Sequence, residues 1–256
     1  MKFSVLASGS TGNSTYIETA SVKLLIDIGT SSLYVEKNLK DMEVNPSEIN
    51  AIIITHTHVD HISGLRVFLK KYHPVLYITK KMYKDLKDAI GDNEYYFIDD
   101  KFFIGDISIT PVSLSHDAPD IRGYLLESNG KSIVHITDTG YINSKYIDLL
   151  KNKNAYIFES NHDIKMLMDG KYQFHLKQRI LSDKGHLSNK DSSYYLSKLI
   201  GDNTEEVVLI HLSKDNNTPE LAYSTFKEMI KSTPYKVDPI ISSPTERTKF
   251  IKIWLN

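Results

Sequence analysis

Ala51-Ile52-Ile53-Ile54-Thr55-His56-Thr57-His58-Val59-Asp60-His61-Ile62-Ser63-Gly64 is the stretch on which the fold turns. Its apolar start, Ala51 to Ile54, predicts a short buried β-strand that empties directly into three histidines and an aspartate. Neutral imidazole is the commonest side-chain metal ligand and a carboxylate adds a hard anionic oxygen, so His-x-His-x-Asp-His offers four donors on one turn. At strand spacing His56 and His58 face the same way and chelate one ion, while Asp60 and His61, past the bend, aim at a second. Gly64 lets the backbone pass close beneath the site and opens a helix from Leu65 to Tyr72. A surface turn of satisfied polar residues would account for a lone histidine. Three at this spacing after a hydrophobic strand fit a metal-ligand pattern instead.

Thr55 to Gly64 resembles the signature of the metallo-β-lactamase superfamily of two-metal hydrolases. The resemblance implies an α/β fold, a four-layer α/β-β/α sandwich, and it says where the remaining ligands should lie. The superfamily places its third histidine just after a strand and before a Gly-Tyr pair, which here is His116, after Ile107 to Leu114 and ahead of Gly123-Tyr124. His116 then completes one site with His56 and His58. The last histidine of the superfamily pattern falls on His211, delivered by the strand Glu206 to Ile210, and closes the second site with Asp60, His61 and Asp138. Asp138 ends the strand Ser132 to Thr137, and one carboxylate oxygen there can bridge two divalent ions. Asp27 ends another buried strand and needs a partner, because an unpaired buried carboxylate costs several kcal/mol. The superfamily has an aspartate at this position, which implies that Asp27 holds an imidazole in the right tautomer. A plain turn aspartate is the simpler alternative.

With 256 residues, 41% of them hydrophobic, the chain suits one large domain or two small ones, and one α/β domain is the expectation; the resemblance implies a single metallo-β-lactamase-like domain over 1–256. With no cysteine, disulfides and soft-ligand metal sites are excluded, leaving zinc, manganese or iron, and zinc and manganese suit His and carboxylate ligands alike. The formal charge of −1 supplies no global field for a polyanion, so any such attraction must be local. The apolar N-terminal run is too short for a membrane span or signal core, and a cytoplasmic enzyme without membrane association is the expectation.

Along the chain, strands are expected at Phe3 to Leu6, Thr15 to Thr19, Val22 to Ile26, Val75 to Ile78, Tyr95 to Ile98, Phe102-Phe103, Arg122 to Glu127 and Ala155 to Phe158. Helices are expected from Ser31 or Ser32 to Met42, Lys80 to Ile90, Ile164 to Asp169, Tyr172 to Leu181, Lys190 to Ile200 and Pro219 to Lys231. Strands near Val237 and Phe250 should finish the second sheet. The loop Ser8 to Ser14, rich in glycine and hydroxyls, either cradles an anion or is an ordinary connection. His135 and His73 are given no ligand role.

Ser8-Gly9-Ser10-Thr11-Gly12-Asn13, Ser115-His116-Asp117-Ala118, Glu159-Ser160-Asn161-His162-Asp163, Gly185-His186-Leu187-Ser188-Asn189 and Leu212-Ser213-Lys214-Asp215-Asn216-Asn217 together resemble the bacterial YycJ (WalJ) family. That family is associated with 5′-to-3′ exonuclease activity, so the resemblance implies DNA as substrate and phosphodiester hydrolysis. Two ions would lower the pKa of a shared water and clamp the in-line transition state, and Asp60 would orient that water. His186 is the candidate for protonating the leaving oxygen, held by Glu159; otherwise it is a helix-entry residue. His162 is ambiguous in the same way. Lys177, Arg179 and Lys184 belong to a net positive run that could track phosphates, although a solvated helix face is the commoner meaning. The competing class is a small-molecule ester hydrolase, a lactonase or thioesterase, on the same fold. A non-catalytic metal-binding regulator is disfavoured because no ligand position is missing.

Overall fold

Alternation along the strands decides how the layers stack. In β3 (Lys23–Ile26) Leu24 and Ile26 face one apolar layer and Leu25 another, and in β4 (Ala51–Ile53) Ile53 and Ile52 divide in the same way. Strands buried on both faces read as unbroken apolar runs, which is why Leu24 to Ile26 and Ala51 to Ile54 were legible as core. The computed structural model describes residues 1–253. Among these residues fourteen strands form two sheets of seven.

The first sheet runs β1 (Lys2–Ala7), β2 (Ser14–Glu18), β3, β4, β5 (Val75–Ile78) and β6 (Tyr95–Phe97), with β14 (Ile251–Lys252) on the outer edge of β1. The second runs β7 (Phe102–Ile104), β8 (Ile107–Ser113), β9 (Arg122–Ser128), β10 (Lys131–Ile136), β11 (Ala155–Glu159), β12 (Glu206–Ile210) and β13 (Ile240–Ile241). One expectation is corrected here: the C-terminal strand joins the first sheet, where Phe3 pairs with Ile251, and β13 alone extends the second. Two-residue edge strands carry too little pattern to assign a partner from sequence.

Between the sheets lies a layer containing Phe3, Ile17, Ile26, Ile53, Tyr124, Ile133, Ile157 and Val208. Outside the first sheet α1 (Ser32–Asp41), α3 (Leu65–Tyr72) and α4 (Tyr83–Ile90) contribute Val35, Leu39, Phe68, Leu69 and Leu86. Outside the second, α5 (Ile147–Leu150), α8 (Asn189–Leu199) and α9 (Pro219–Ile230) contribute Leu150, Leu196, Ala222 and Phe226. The result is the expected helix–sheet–sheet–helix sandwich. Caps fix where the helices enter: the Ser31 hydroxyl accepts the Tyr34 N–H, and Ser188 and Thr218 do the same for α8 and α9.

The sheets are tied together close to the motif. The buried Tyr124 hydroxyl on β9 donates to the Ile54 carbonyl at 2.6 Å, and the Arg122 N–H reaches Thr55 at 2.9 Å. Gly64 works as its position suggested, since a Cβ there would meet the Thr30 carbonyl oxygen at 2.1 Å. Gly29 is as tightly placed, since a Cβ there would meet the Asp60 carbonyl oxygen at 1.7 Å. No helix among the described residues is long and apolar enough to cross a membrane.

Candidate metal centre

Strand ends at one edge of the sandwich deliver the site. Asp27 follows β3, the histidine motif follows β4 and runs through the short α2 (Val59–Ile62), and Asp138 and His211 follow β10 and β12. Glu159 is the last residue of β11, and His116 lies three residues past β8. Asp27, Asp138 and His211 have φ of 61°, 52° and 59°, a left-handed backbone that non-glycine residues rarely adopt. Three such residues at one site show how the chain turns sharply off a strand and throws the side chain inward. His56 and His58 are not at strand spacing as expected, because β4 ends at Ile53; they converge from the extended turn before α2, their ring centroids 4.6 Å apart.

Hydrogen bonds on the far side of each ring fix which nitrogen looks inward. Thr55 Oγ1 donates to Asp27 at 2.7 Å and therefore accepts from His56 Nδ1 at 3.1 Å. His61 Nδ1 donates to Asp27 at 2.8 Å, His116 Nδ1 to the Gly185 carbonyl at 3.0 Å, and His211 Nδ1 to Glu159 at 3.0 Å. In the neutral form each ring then presents an Nε2 lone pair to the interior, the tautomer a metal requires. His56 Nε2 and His211 Nε2 are buried with no hydrogen-bond partner among the described residues. Asp27 also accepts the Thr55 N–H at 2.8 Å, so its carboxylate has the partners its burial demands.

The inward atoms gather in overlapping groups, each within 4.8 Å: His56, His58 and His116; His56, His61 and Asp138; Asp60, His61 and His211; and Asp138, Glu159, His186 and His211. All seven expected ligands are therefore brought together. Asp138 Oδ2 lies 3.1 Å from His61 Nε2, and its carboxylate falls in one group with His56 of one half and His61 of the other, where the two halves meet. Electrostatics call for cations here. Burial alone would lower the His61 pKa, yet Asp138 and Asp27 on either side hold it up at about 10. Burial likewise opposes ionisation of Asp138, but His211 and His61 drive its pKa well below the usual carboxylate range. A donor set of imidazole nitrogens and carboxylates with orphaned buried lone pairs fits divalent metal ions.

Beside these donors is a cleft of about 270 Å³, with His58, Asp60, His116, His186, Arg179 and Tyr172 in its walls. His186 Nδ1 donates to Glu159 at 2.7 Å, leaving its other nitrogen free. Glu159 is fully buried and also takes the Thr139 and Leu187 N–H groups; burial would raise its pKa, and His186 brings it down to about 2. Arg179, on α7 (Phe174–Ile180), pairs with Asp117. Of the three residues expected on one basic face, Arg179 lines the cleft and Lys177 and Lys184 stand apart from it. The Lys177 ammonium donates to the Met168 and Gly170 carbonyls at the end of α6 (Ile164–Asp169). His162 also stays outside, buried with both ring nitrogens unpartnered and its pKa pushed down to about 4 by burial. His135 is a packed core residue, as expected, 3.3 Å from Thr15 of the other sheet.

Sequence reasoning passed over three residues. Asn13, from the Ser8 to Ser14 loop, donates to Asp60 Oδ2 at 3.2 Å and to the Asp60 carbonyl at the same distance. Thr55 orders two imidazoles, and Asp117 faces both His58 and His116. Asp117 and Thr55 adjoin ligand histidines in sequence, a signal that was available; Asn13 gave none, because its contact spans 47 positions.

A family model, the beta-lactamase superfamily domain, matches residues 23–212. The chain belongs to the metallo-β-lactamase superfamily, and with this donor set it is a metal-dependent hydrolase. Within the superfamily its relatives are specific. It is 39% identical over 242 residues to the exodeoxyribonuclease YycJ of Bacillus anthracis, covering 93% of this chain and 92% of that one. It is 40% identical over 232 residues to the exodeoxyribonuclease WalJ of Streptococcus pneumoniae, covering 88% and 86%. It therefore belongs to the YycJ/WalJ family. Among solved structures, the metallo-β-lactamase fold protein YhfI of Bacillus subtilis superposes with a TM-score of 0.74 at 16% identity, covering 96% of this chain and 98% of that one, which supports the fold.

Proposed function

We propose that the chain is a two-metal phosphodiesterase that works in the cytoplasm as a 5′-to-3′ DNA exonuclease. The observation that carries this is the 39% identity, along 93% of the chain, to a protein named an exodeoxyribonuclease. His56, His58 and His116 would hold one ion and Asp60, His61 and His211 the other, with Asp138 shared. When bound, such ions acidify a water and neutralise charge on the phosphoryl oxygens.

The remaining steps fall to side chains in the cleft. Asp60 is a quarter exposed there and accepts a hydrogen from the attacking water, fixing its direction towards phosphorus. Arg179 holds a non-bridging oxygen through its guanidinium fork. As the P–O bond to the leaving nucleotide breaks, His186 gives that oxygen a proton from the nitrogen not bound to Glu159. Glu159 keeps the ring oriented.

The test incubates end-labelled linear duplex DNA with manganese-loaded protein beside a panel of lactones and thioesters. The expected result is early release of the 5′ label, with His186→Ala slowing it by about 10²–10⁴-fold at unchanged metal content. Ester turnover with intact DNA across several metals would establish the competing small-molecule hydrolase.

A further inference from the structure

Asp117 sits where none of the seven ligands accounts for it. Its Oδ1 lies 3.1 Å from His116 Nε2 and 3.7 Å from His58 Nε2, while Oδ2 pairs with Arg179. The Gly185 carbonyl can only accept, so His116 Nδ1 carries the ring proton and Nε2 presents a lone pair. A carboxylate oxygen and an imidazole lone pair 3.1 Å apart repel each other unless a positive charge sits beside both. The same oxygen faces two of the three imidazoles grouped as one set of donors. Arg179, by holding the second oxygen, keeps the first directed at them.

We propose that Asp117 is a further ligand of the ion held by His56, His58 and His116, a carboxylate tethered by Arg179. This rests on the metal-binding reading of the site and not on the identity of the substrate. Beside the shared Asp138, an anionic Asp117 would give the three-imidazole half-site a carboxylate of its own. It would also link the ion to the one arginine that lines the cleft among the described residues.

The experiment titrates chelator-stripped protein with zinc against a chromophoric competitor and takes a far-UV spectrum of every variant. Asp117→Asn, folded like the parent, should weaken one of the two binding events by about tenfold or more. Asp120→Asn removes the same charge three positions away, from a carboxylate that pairs with Arg122 at 3.3 Å, and should leave both events unchanged. Parent-like zinc affinity in folded Asp117→Asn overturns the proposal. An equal loss in Asp120→Asn overturns it too, by assigning the effect to net charge. Parent protein that binds no zinc would instead remove the metal-binding reading itself.

Discussion

Asp138 leaves β10 with φ 52°, and for a residue with a Cβ that conformation costs about 1–3 kcal/mol. Its carboxylate is also almost wholly buried. Both costs fall on a side chain that accepts the Thr137 hydroxyl and otherwise faces His61, His211 and His186, so the position serves the site and not the core. Asp138→Ala and His58→Ala should therefore abolish turnover with the fold retained, and near-parent activity in either would remove the two-metal mechanism. In the metal-free protein His58→Ala should keep the denaturation midpoint, whereas Asp138→Ala should lower it because the buried His61 and His211 lose their carboxylate. Asp27 acts one step behind. Replacing it with Asn leaves an acceptor for the Thr55 N–H but weakens the charge that fixes His61, and metal affinity should fall by about 10–100-fold on titration. The left-handed residues were not legible in advance, because Asp and His carry no glycine-like marker; the motif histidines were, because three donors in six positions have few other uses.

At the scale of elements, the sandwich has a working end and a pinned end. Asp106, in the turn between β7 and β8, accepts hydroxyls from Thr19 and Ser21 of the β2–β3 turn and from Ser128 at the end of β9. One carboxylate thus ties turns of both sheets together, opposite the metal donors. Partial burial would raise its pKa, but the Ser21, Thr19 and Ser128 hydroxyls bring it below 3.8. A lowered carboxylate contributes its stability above the unfolded value of 3.8 and loses it as pH falls through the lower folded value. Asp106→Ala should thus cost about 1–2 kcal/mol in urea unfolding at pH 7, less near pH 3, with metal content and turnover unchanged. Lys177 has a comparable structural task, since it caps α6, and Lys177→Met should lower stability more than it lowers DNA binding. The sequence showed Lys177 and Arg179 as equal members of one basic run. Only the reach of Lys177 to the carbonyls at the end of α6 separates the capping residue from the cleft residue.

For the molecule as a whole, 31 basic and 32 acidic side chains leave no broad field for a polyanion. Attraction has to come from the ions, Arg179 and the neighbouring groove, where Lys165, Lys171 and Lys214 alternate with Asp163, Asp169 and Asp215 and Tyr172 forms the wall shared with the cleft. With about three phosphates neutralised, log affinity for duplex DNA should fall against log salt with a slope of about −3, measured on metal-loaded His186→Ala, which keeps its ions and is slowed in turnover. A slope near −10 would point to a basic surface that the described residues do not offer. The layers of the fold were readable because buried parallel strands are long apolar runs. The edge pairing of β14 and the convergence of Asn13 on Asp60 were not, since both depend on contacts between distant parts of the chain.

On the proposed reading, seven side chains delivered at one edge of the two sheets hold two divalent ions. Elemental analysis of metal-saturated, desalted protein measures this most directly. Two ions per chain, falling to one or none in His58→Ala and Asp60→Ala, is the predicted result. One ion per chain in the parent protein, unchanged when Asp60 or His211 is replaced, would contradict it.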